Sequence, residues 1–249
     1  MTQQERLVEI LKLLESKEIL KQEEIAQQFN VSKDTARRDI LKLVEENLVE
    51  RTKGGIQLPV IKQQITDYQN RIIQHSTEKK QVATLASSLI NSTQTIWLDV
   101  STTVELLSQK NLPKETLFVT NSVDNAISFS KNNNQVYLLG GYYQADSHLL
   151  KGPMLMTQLM NFYFDIAFIG ASGISEEGIF FDELEDIDLH QQLRAQSKQV
   201  VLLIDSSKEN LRTSFKVSWE TIDTLIVNQP LSTSLQEAIN QHPITMMIP

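Results

Sequence analysis

The stretch Asn30-Val31-Ser32-Lys33-Asp34-Thr35-Ala36-Arg37-Arg38-Asp39-Ile40 decides how the first quarter of this 249-residue chain folds. Asn30-Val31-Ser32 breaks one helical pattern and supplies a good N-cap for the next. Asp34 in the new first turn suits the positive end of the helix dipole. Ala36 and Ile40, continued by Leu43 and Val44, form an apolar stripe to about Glu46. Lys33 and Arg37 lie four residues apart on the other side, flanked by Thr35 and Arg38. The spacing predicts a helix buried on one face and basic on the other.

Upstream, Leu7, Ile10, Leu11 and Leu14 fall at i, i+3, i+4, i+7 within a helix over Gln3–Ser16. A short second helix is predicted over Lys21–Gln28, with Ile25 and Phe29 inward. Downstream the period drops to two. Leu48–Thr52 and Ile56–Leu58, joined by Lys53-Gly54-Gly55, read as a β-hairpin, and Pro59 closes the unit. Three helices and a two-stranded wing form a winged helix-turn-helix. Such a third helix fits the DNA major groove with its N-terminal residues nearest the base edges. Arg37 and Arg38 are the candidates for guanine, Ser32, Lys33 and Thr35 for bases or phosphates, and Arg51, Thr52, Lys53 and Gly54 for the flanking backbone or minor groove.

The charge balance confines this interface to one element. The chain carries 23 Lys+Arg against 31 Asp+Glu, net -8. Residues 1–60 hold 10 basic and 11 acidic side chains, so the basic signal is a stripe on a helix rather than a basic domain. There is no cysteine, which excludes disulfides, thiolate metal sites and cysteine nucleophiles. No apolar run approaches the roughly 18 residues that span a bilayer, and the first twenty residues are charged throughout. A cytoplasmic protein without a membrane span or secretory leader is expected.

Residues 59–75 are expected to form an ordered linker, and 76–249 a second domain. There, compact apolar runs alternate with helix-length segments: Thr95–Leu98, Leu117–Val119, Val136–Leu139, Ile166–Ile169, Val200–Ile204 and Leu225–Val227. That pattern predicts an α/β domain with a mostly parallel sheet. Ligands bind such sheets beyond the carboxyl ends of the strands, so the residues after each run are the candidate effector site. They are Asp99, Ser101, Thr102 and Thr103; Thr120, Asn121 and Ser122; Gly140 and Gly141; Gly170, Ser172 and Gly173; and Asp205 with Lys208. Hydroxyls and bare amides at helix starts suit a phosphate, Lys208 its counter-charge, and Asp99 and Asp205 sugar hydroxyls. Each such segment also reads as an ordinary helix cap or turn; their recurrence on successive strands favours a shared crevice.

Enzyme motifs are lacking. Gly170-Ala171-Ser172-Gly173 is not a nucleophile elbow, and there is neither a dinucleotide fingerprint nor a phosphate-loop lysine motif. His75, His148, His190 and His242 show no metal-ligand spacing, and no cofactor is expected. The acidic run Asp182, Glu183, Glu185, Asp186 and Asp188 reads as a helix N-terminal charge run. Two alternatives remain: a sugar-phosphate isomerase using His190 with Asp99 or Asp205, and a DNA-binding protein whose second domain only oligomerises.

Val31–Ile40 followed by Arg51-Thr52-Lys53-Gly54-Gly55 resembles the DNA-binding signature of the DeoR family of bacterial sugar-metabolism regulators, with Lys53 where the family usually has histidine. Leu98–Thr103, Val119–Ser122, Leu138–Gly141, Ile169–Ile174 and Ile204–Lys208 resemble the family's sensor blocks in order. The resemblance implies a sensor domain similar to ribose-5-phosphate isomerase and a phosphorylated-sugar effector. It also implies repression of a carbohydrate operon through a double-stranded operator. A dimer or tetramer is expected, since one winged unit covers little DNA. Two departures bear on the ligand. Ser101 replaces a glycine where a phosphate approaches, and His190 stands where a lysine is frequent, which removes a fixed counter-charge.

Overall fold

The computed structural model describes residues 2–17, 19–45, 48–52, 55–57, 76–145 and 147–249. The chain divides into two compact units, Met1–Asn70 and Arg71–Pro249. The expected linker, with Leu58 and the wing-tip Lys53 and Gly54, lies outside the described residues.

In the first unit, helices α1 (Gln3–Ser16), α2 (Gln22–Gln28) and α3 (Lys33–Glu45) precede strands β1 (Glu50–Arg51) and β2 (Ile56–Gln57). Thr2 and Glu5 close a capping box on α1. A seven-residue helix such as α2 is not stable alone, so its place rests on the buried Ile25 and Ala26. Asn30 adopts a left-handed φ of 49°, which turns the chain between α2 and α3. Ser32 Oγ then accepts the Thr35 N–H at 3.1 Å and caps α3. Ile10, Ile25, Ala36, Leu43 and Ile56 meet in one apolar core. The wing strands are antiparallel and shorter than the sequence pattern suggested, but Leu20 pairs with Ile56 through two 2.9 Å backbone bonds, adding a third rung. Gly55 permits this, because a Cβ there would overlap the Leu20 carbonyl.

The second unit carries a seven-stranded, wholly parallel sheet. Its strands are β3 (Thr95–Leu98), β4 (Leu117–Thr120), β5 (Gln135–Leu138), β8 (Phe164–Ile169), β11 (Ser197–Ile204), β13 (Thr224–Val227) and β14 (Thr245–Met247), in the order β14-β13-β11-β8-β3-β4-β5. Alternate residues face two cores. Trp97, Val119, Ala167 and Leu202 pack with α7 (Pro153–Leu159), α8 (Leu184–Ala195) and α9 (Thr233–Ile239). Ile96, Phe118, Phe168 and Leu203 pack with α4 (Ser76–Ser87), α5 (Thr102–Glu105) and α6 (Val123–Ser130). Burial on both faces explains why the inner strands β3, β4, β8, β11 and β13 read as continuous apolar runs, whereas β5 at the edge is largely exposed.

Two smaller pieces lay outside the sequence reading: the hairpin β6 (Tyr142–Gln144) and β7 (Leu149–Lys151), and a three-stranded antiparallel sheet of β12 (Phe215–Val217), β10 (Gly178–Phe181) and β9 (Gly173–Ser175). The topology also fixes a switch point. From β3 the chain winds outward through β4 and β5, then returns to β8 on the other side of β3 and winds the opposite way. The carboxyl ends of β3 and β8 therefore bound the crevice where this class of sheet binds ligands.

Candidate functional site

On α3 the basic side chains differ in their engagements. Arg38 Nη2 donates to Asp34 Oδ2 at 2.7 Å, and Lys33 Nζ to Glu23 Oε1 of α2 at 2.7 Å. Both pairs are largely exposed, so water or a phosphate can displace them. Arg37 is exposed and, among the described residues, makes no ion pair. Ser32 and Thr35 hydrogen-bond each other at 2.9 Å at the helix start. In the wing Arg51 is exposed, whereas the Thr52 hydroxyl accepts the Gly55 N–H at 3.1 Å and holds the turn.

The orientation of α3 depends on a pair that the sequence pattern did not single out. Asp39, fully buried, accepts Arg6 Nε at 2.8 Å, Arg6 Nη2 at 3.3 Å and Gln3 Nε2 at 2.9 Å, all from α1. A buried carboxylate demands such partners, and the two-point contact fixes direction as well as distance. Asp39 and Arg38 are sequence neighbours with opposite fates, because i and i+1 on a helix face different ways.

At the switch point of the second unit, the Asp99 carboxylate beyond β3 accepts the Gly170 N–H beyond β8 at 3.1 Å. The same Oδ2 lies 3.1 Å from His190 Nε2 on α8. His190 is 2% exposed, its ring centroid 4.2 Å from that of Phe181, and its Nδ1 has no hydrogen-bond partner among the described residues. Residues 99, 170 and 190, distant in sequence, thus converge. Asp186, one turn before His190, is pushed up to about 6 by burial, with the Asp99 charge adding and His190 and Lys151 opposing. The acidic run at the start of α8 therefore includes a carboxyl group that belongs to this crevice. Nearby, Ser172 Oγ donates to Asp182 at 2.6 Å, and Lys151 pairs with Glu183.

Ser101 accounts for its own departure from the family pattern. Its Oγ accepts the Thr103 N–H at 3.3 Å, capping α5. A Cβ on residue 170 would sit 2.6 Å from Ser101 Cβ, so a side chain at 101 fits because residue 170 is glycine. Thr102 is half-buried and Thr103 buried at the start of α5.

The neighbouring strand ends are tied to the same place. Thr120 Oγ1 donates to the Leu98 carbonyl at 2.7 Å and accepts the Ser122 N–H at 3.0 Å. Ser122 Oγ caps α6 by accepting the Asn125 N–H at 3.1 Å. Asn125, which the sequence reading missed, donates to the Asp99 carbonyl at 2.8 Å; its spacing from the Ser122 cap was the available signal. Asn121 donates to the Leu150 carbonyl at 3.1 Å and so holds the β6–β7 hairpin beside the end of β4.

Other candidates take structural posts. The Gly140 N–H donates to Gln158 Oε1 at 2.9 Å, while Gly141 and Gly173 lie against the Lys151 and Leu211 carbonyls. Asp205 accepts the Ser207 N–H at 3.0 Å and its hydroxyl as well, capping the short turn that carries Lys208. Lys208 is half-buried and makes no ion pair among the described residues. Among the described residues no cluster of three or more His, Cys, Asp or Glu could hold a metal ion, and no helix is long and apolar enough to cross a membrane.

A winged helix-turn-helix joined to a parallel α/β unit with a polar crevice at its switch point defines a DNA-binding regulator with a ligand-sensing domain. Comparison with known proteins places it further. Residues 6–62 match the DeoR-like helix-turn-helix domain, and residues 74–229 the DeoR C terminal sensor domain. The chain belongs to the DeoR family of transcriptional regulators; it is a DNA-binding regulator, not an enzyme, and its partner is a DNA operator. It is 34% identical to the HTH-type transcriptional repressor GlcR of Bacillus subtilis (strain 168) over 250 residues, covering 100% of this chain and 97% of that protein. The Glycerol-3-phosphate regulon repressor of Escherichia coli (strain K12) is 26% identical, covering 99% of each chain. Among solved structures, ribose 5-phosphate isomerase from Plasmodium falciparum is similar at 17% identity and a TM-score of 0.37, covering 53% of this chain and 52% of that one.

Proposed function

We propose that this regulator is a cytoplasmic repressor of a carbohydrate-metabolism operon whose grip on DNA is modulated by a small phosphorylated sugar. Its parts divide into a DNA-binding domain over 1–58, a linker over 59–75 and an effector domain over 76–249. Ser32, Lys33, Thr35, Arg37 and Arg38 meet the major groove. Arg51, Thr52, Lys53 and Gly54 meet the flanking backbone, and two or four copies bind together.

One observation carries the sensing half: Asp99, His190 and the Gly170 N–H converge at the switch point of a parallel sheet. In this reading His190 Nδ1, buried and without a partner, takes a hydroxyl of the sugar. The hydroxyls of Thr102 and Thr103, with Lys208, take the phosphate. Repression is supported by the names of relatives such as GlcR and the glycerol-3-phosphate regulon repressor.

The reading is tested by a thermal-shift panel of sugar phosphates against their unphosphorylated parents. At a hundredfold excess over Kd, a ligand that binds only the folded state adds about 2.7 kcal/mol. Phosphorylated sugars are expected to raise the midpoint by several degrees, and Lys208→Met to abolish the shift. Equal stabilisation by unphosphorylated sugars would refute the phosphate half of the reading.

A further inference from the structure

Residues 135–163, which run from β5 through the β6–β7 hairpin and α7, differ in composition from the rest of the chain. They hold four of its five tyrosines and three of its six methionines, yet only Asp146 and Lys151 among Asp, Glu, Lys and Arg. All four tyrosines are more than half exposed; Tyr142 is 80% exposed and Tyr163 65%, with Met154 and Met160 also outward. They are linked through the fold. Tyr137 meets Phe162 edge to face at 5.5 Å, Tyr142 lies beside Gly152, and Gln158 of α7 holds Gly140 beyond β5.

Isolated exposed apolar groups need no explanation, but a cluster of Tyr and Met depleted of charge has the composition of an interface centre. β5 is also an edge strand of the parallel sheet, with its outer backbone unpaired by any described strand. Edges left to solvent are normally blunted by prolines or charges. The opposite edge, β14, is so treated: three residues long, between Pro243 and Pro249. β5 has neither device.

We propose that this face, centred on Tyr137, Tyr142, Met154, Met160 and Tyr163, is where a second copy of the chain docks. The charge balance of this face selects a second copy over another partner. A two-fold contact sets a surface against itself, so any net charge repels its own image. In a chain of net charge -8, a face with one acidic and one basic residue in 29 is suited to self-pairing. The inference rests on the reading that the regulator works as an oligomer.

Sedimentation of the full-length chain tests it. The parent is expected to associate at micromolar concentration. Tyr142→Glu and Tyr163→Glu should each lose at least one association step, with a dissociation constant at least 100-fold higher and unchanged far-UV circular dichroism. Tyr163→Ser, a truncation that adds no charge, should weaken association at least tenfold and keeps the test decisive if the glutamate variants fail to fold. Ile248→Glu, beyond the opposite edge, should assemble like the parent. Parental assembly of all three tyrosine variants, or dissociation by Ile248→Glu, would overturn the assignment of this face alone. A monomeric parent, free and on operator DNA, would overturn the oligomeric reading with it.

Discussion

Replacing Asp39 by alanine removes three hydrogen bonds at once and leaves the Arg6 guanidinium, only 9% exposed, without its carboxylate. Breaking a buried pair from one side costs about 3–5 kcal/mol, mostly because a charge is stranded. Arg6 lies at the margin of the core with some access to water, which places the expected cost near 3 kcal/mol. A unit of this size has a total stability of only about 3–8 kcal/mol. Asp39→Ala should therefore leave the winged unit marginal and weaken operator binding, although Asp39 never faces DNA. Arg6→Met combined with Asp39→Leu should recover most of the stability, since apolar groups of similar volume replace a buried pair at little cost. Denaturant titration of the full-length chain, following the transition of the winged unit, gives each value, and the parent, Arg6→Met, Asp39→Leu and the double variant form a double-mutant cycle. A loss below about 1 kcal/mol for Asp39→Ala, or a coupling near zero, would refute the argument that this pair sets the α3 orientation.

Three further outcomes are expected. Arg37→Ala should cost about 1–3 kcal/mol at the cognate operator and relax base preference, whereas Lys33→Ala should weaken all sequences alike; a gel-shift series over operator variants separates the two. Asp186 sits at about 6 in the folded protein against an ordinary 3.8, so the folded state holds a proton that the unfolded chain releases between about pH 4 and 6. Its ionisation weakens the fold increasingly as pH rises through that window, and Asp186→Asn should stabilise the sensor by about 1–2 kcal/mol at pH 7.5 and not at all below pH 4. A gain independent of pH would contradict this. His190→Leu removes the ring nitrogen assigned to a sugar hydroxyl and should weaken binding of a phosphorylated sugar about tenfold by calorimetry; unchanged binding would place that hydroxyl elsewhere.

The helices of the first unit and five of the seven parallel strands were legible because burial on a defined face imposes a period or a run. The α1 stripe of Leu7, Ile10 and Leu14 and the run Val200–Ile204 are of this kind. β5 was read from an apolar run that the fold leaves largely exposed. What escaped reading was held by longer-range forces. β14 is three residues long and only partly buried, and the β6–β7 hairpin exposes its tyrosines, so neither stood out as a buried run. Asp39 looked like one more charge on a basic helix, because nothing local reveals that Arg6, 33 residues away, buries it. The strand-end residues were legible as a set. Which of them touch was legible only in part: the sequence set His190 beside Asp99 or Asp205, the choice of Asp99 depends on how α8 packs on the sheet, and Ser101 is tolerated only because of Gly170. The carboxyl of Asp186 read as part of a helix charge run, and its burial emerges only in the fold.

The most direct test of the account is operator affinity measured with and without a phosphorylated sugar, for the parent, Arg37→Ala and Lys208→Met together. An effector shifts this equilibrium only by its differential affinity for the free and DNA-bound forms. The account predicts that the effector weakens parental binding at least tenfold, that Arg37→Ala binds weakly yet still stabilises with sugar phosphate, and that Lys208→Met binds like the parent and ignores the effector. Parental binding that no sugar phosphate alters, or a Lys208→Met protein that responds in full, would contradict it.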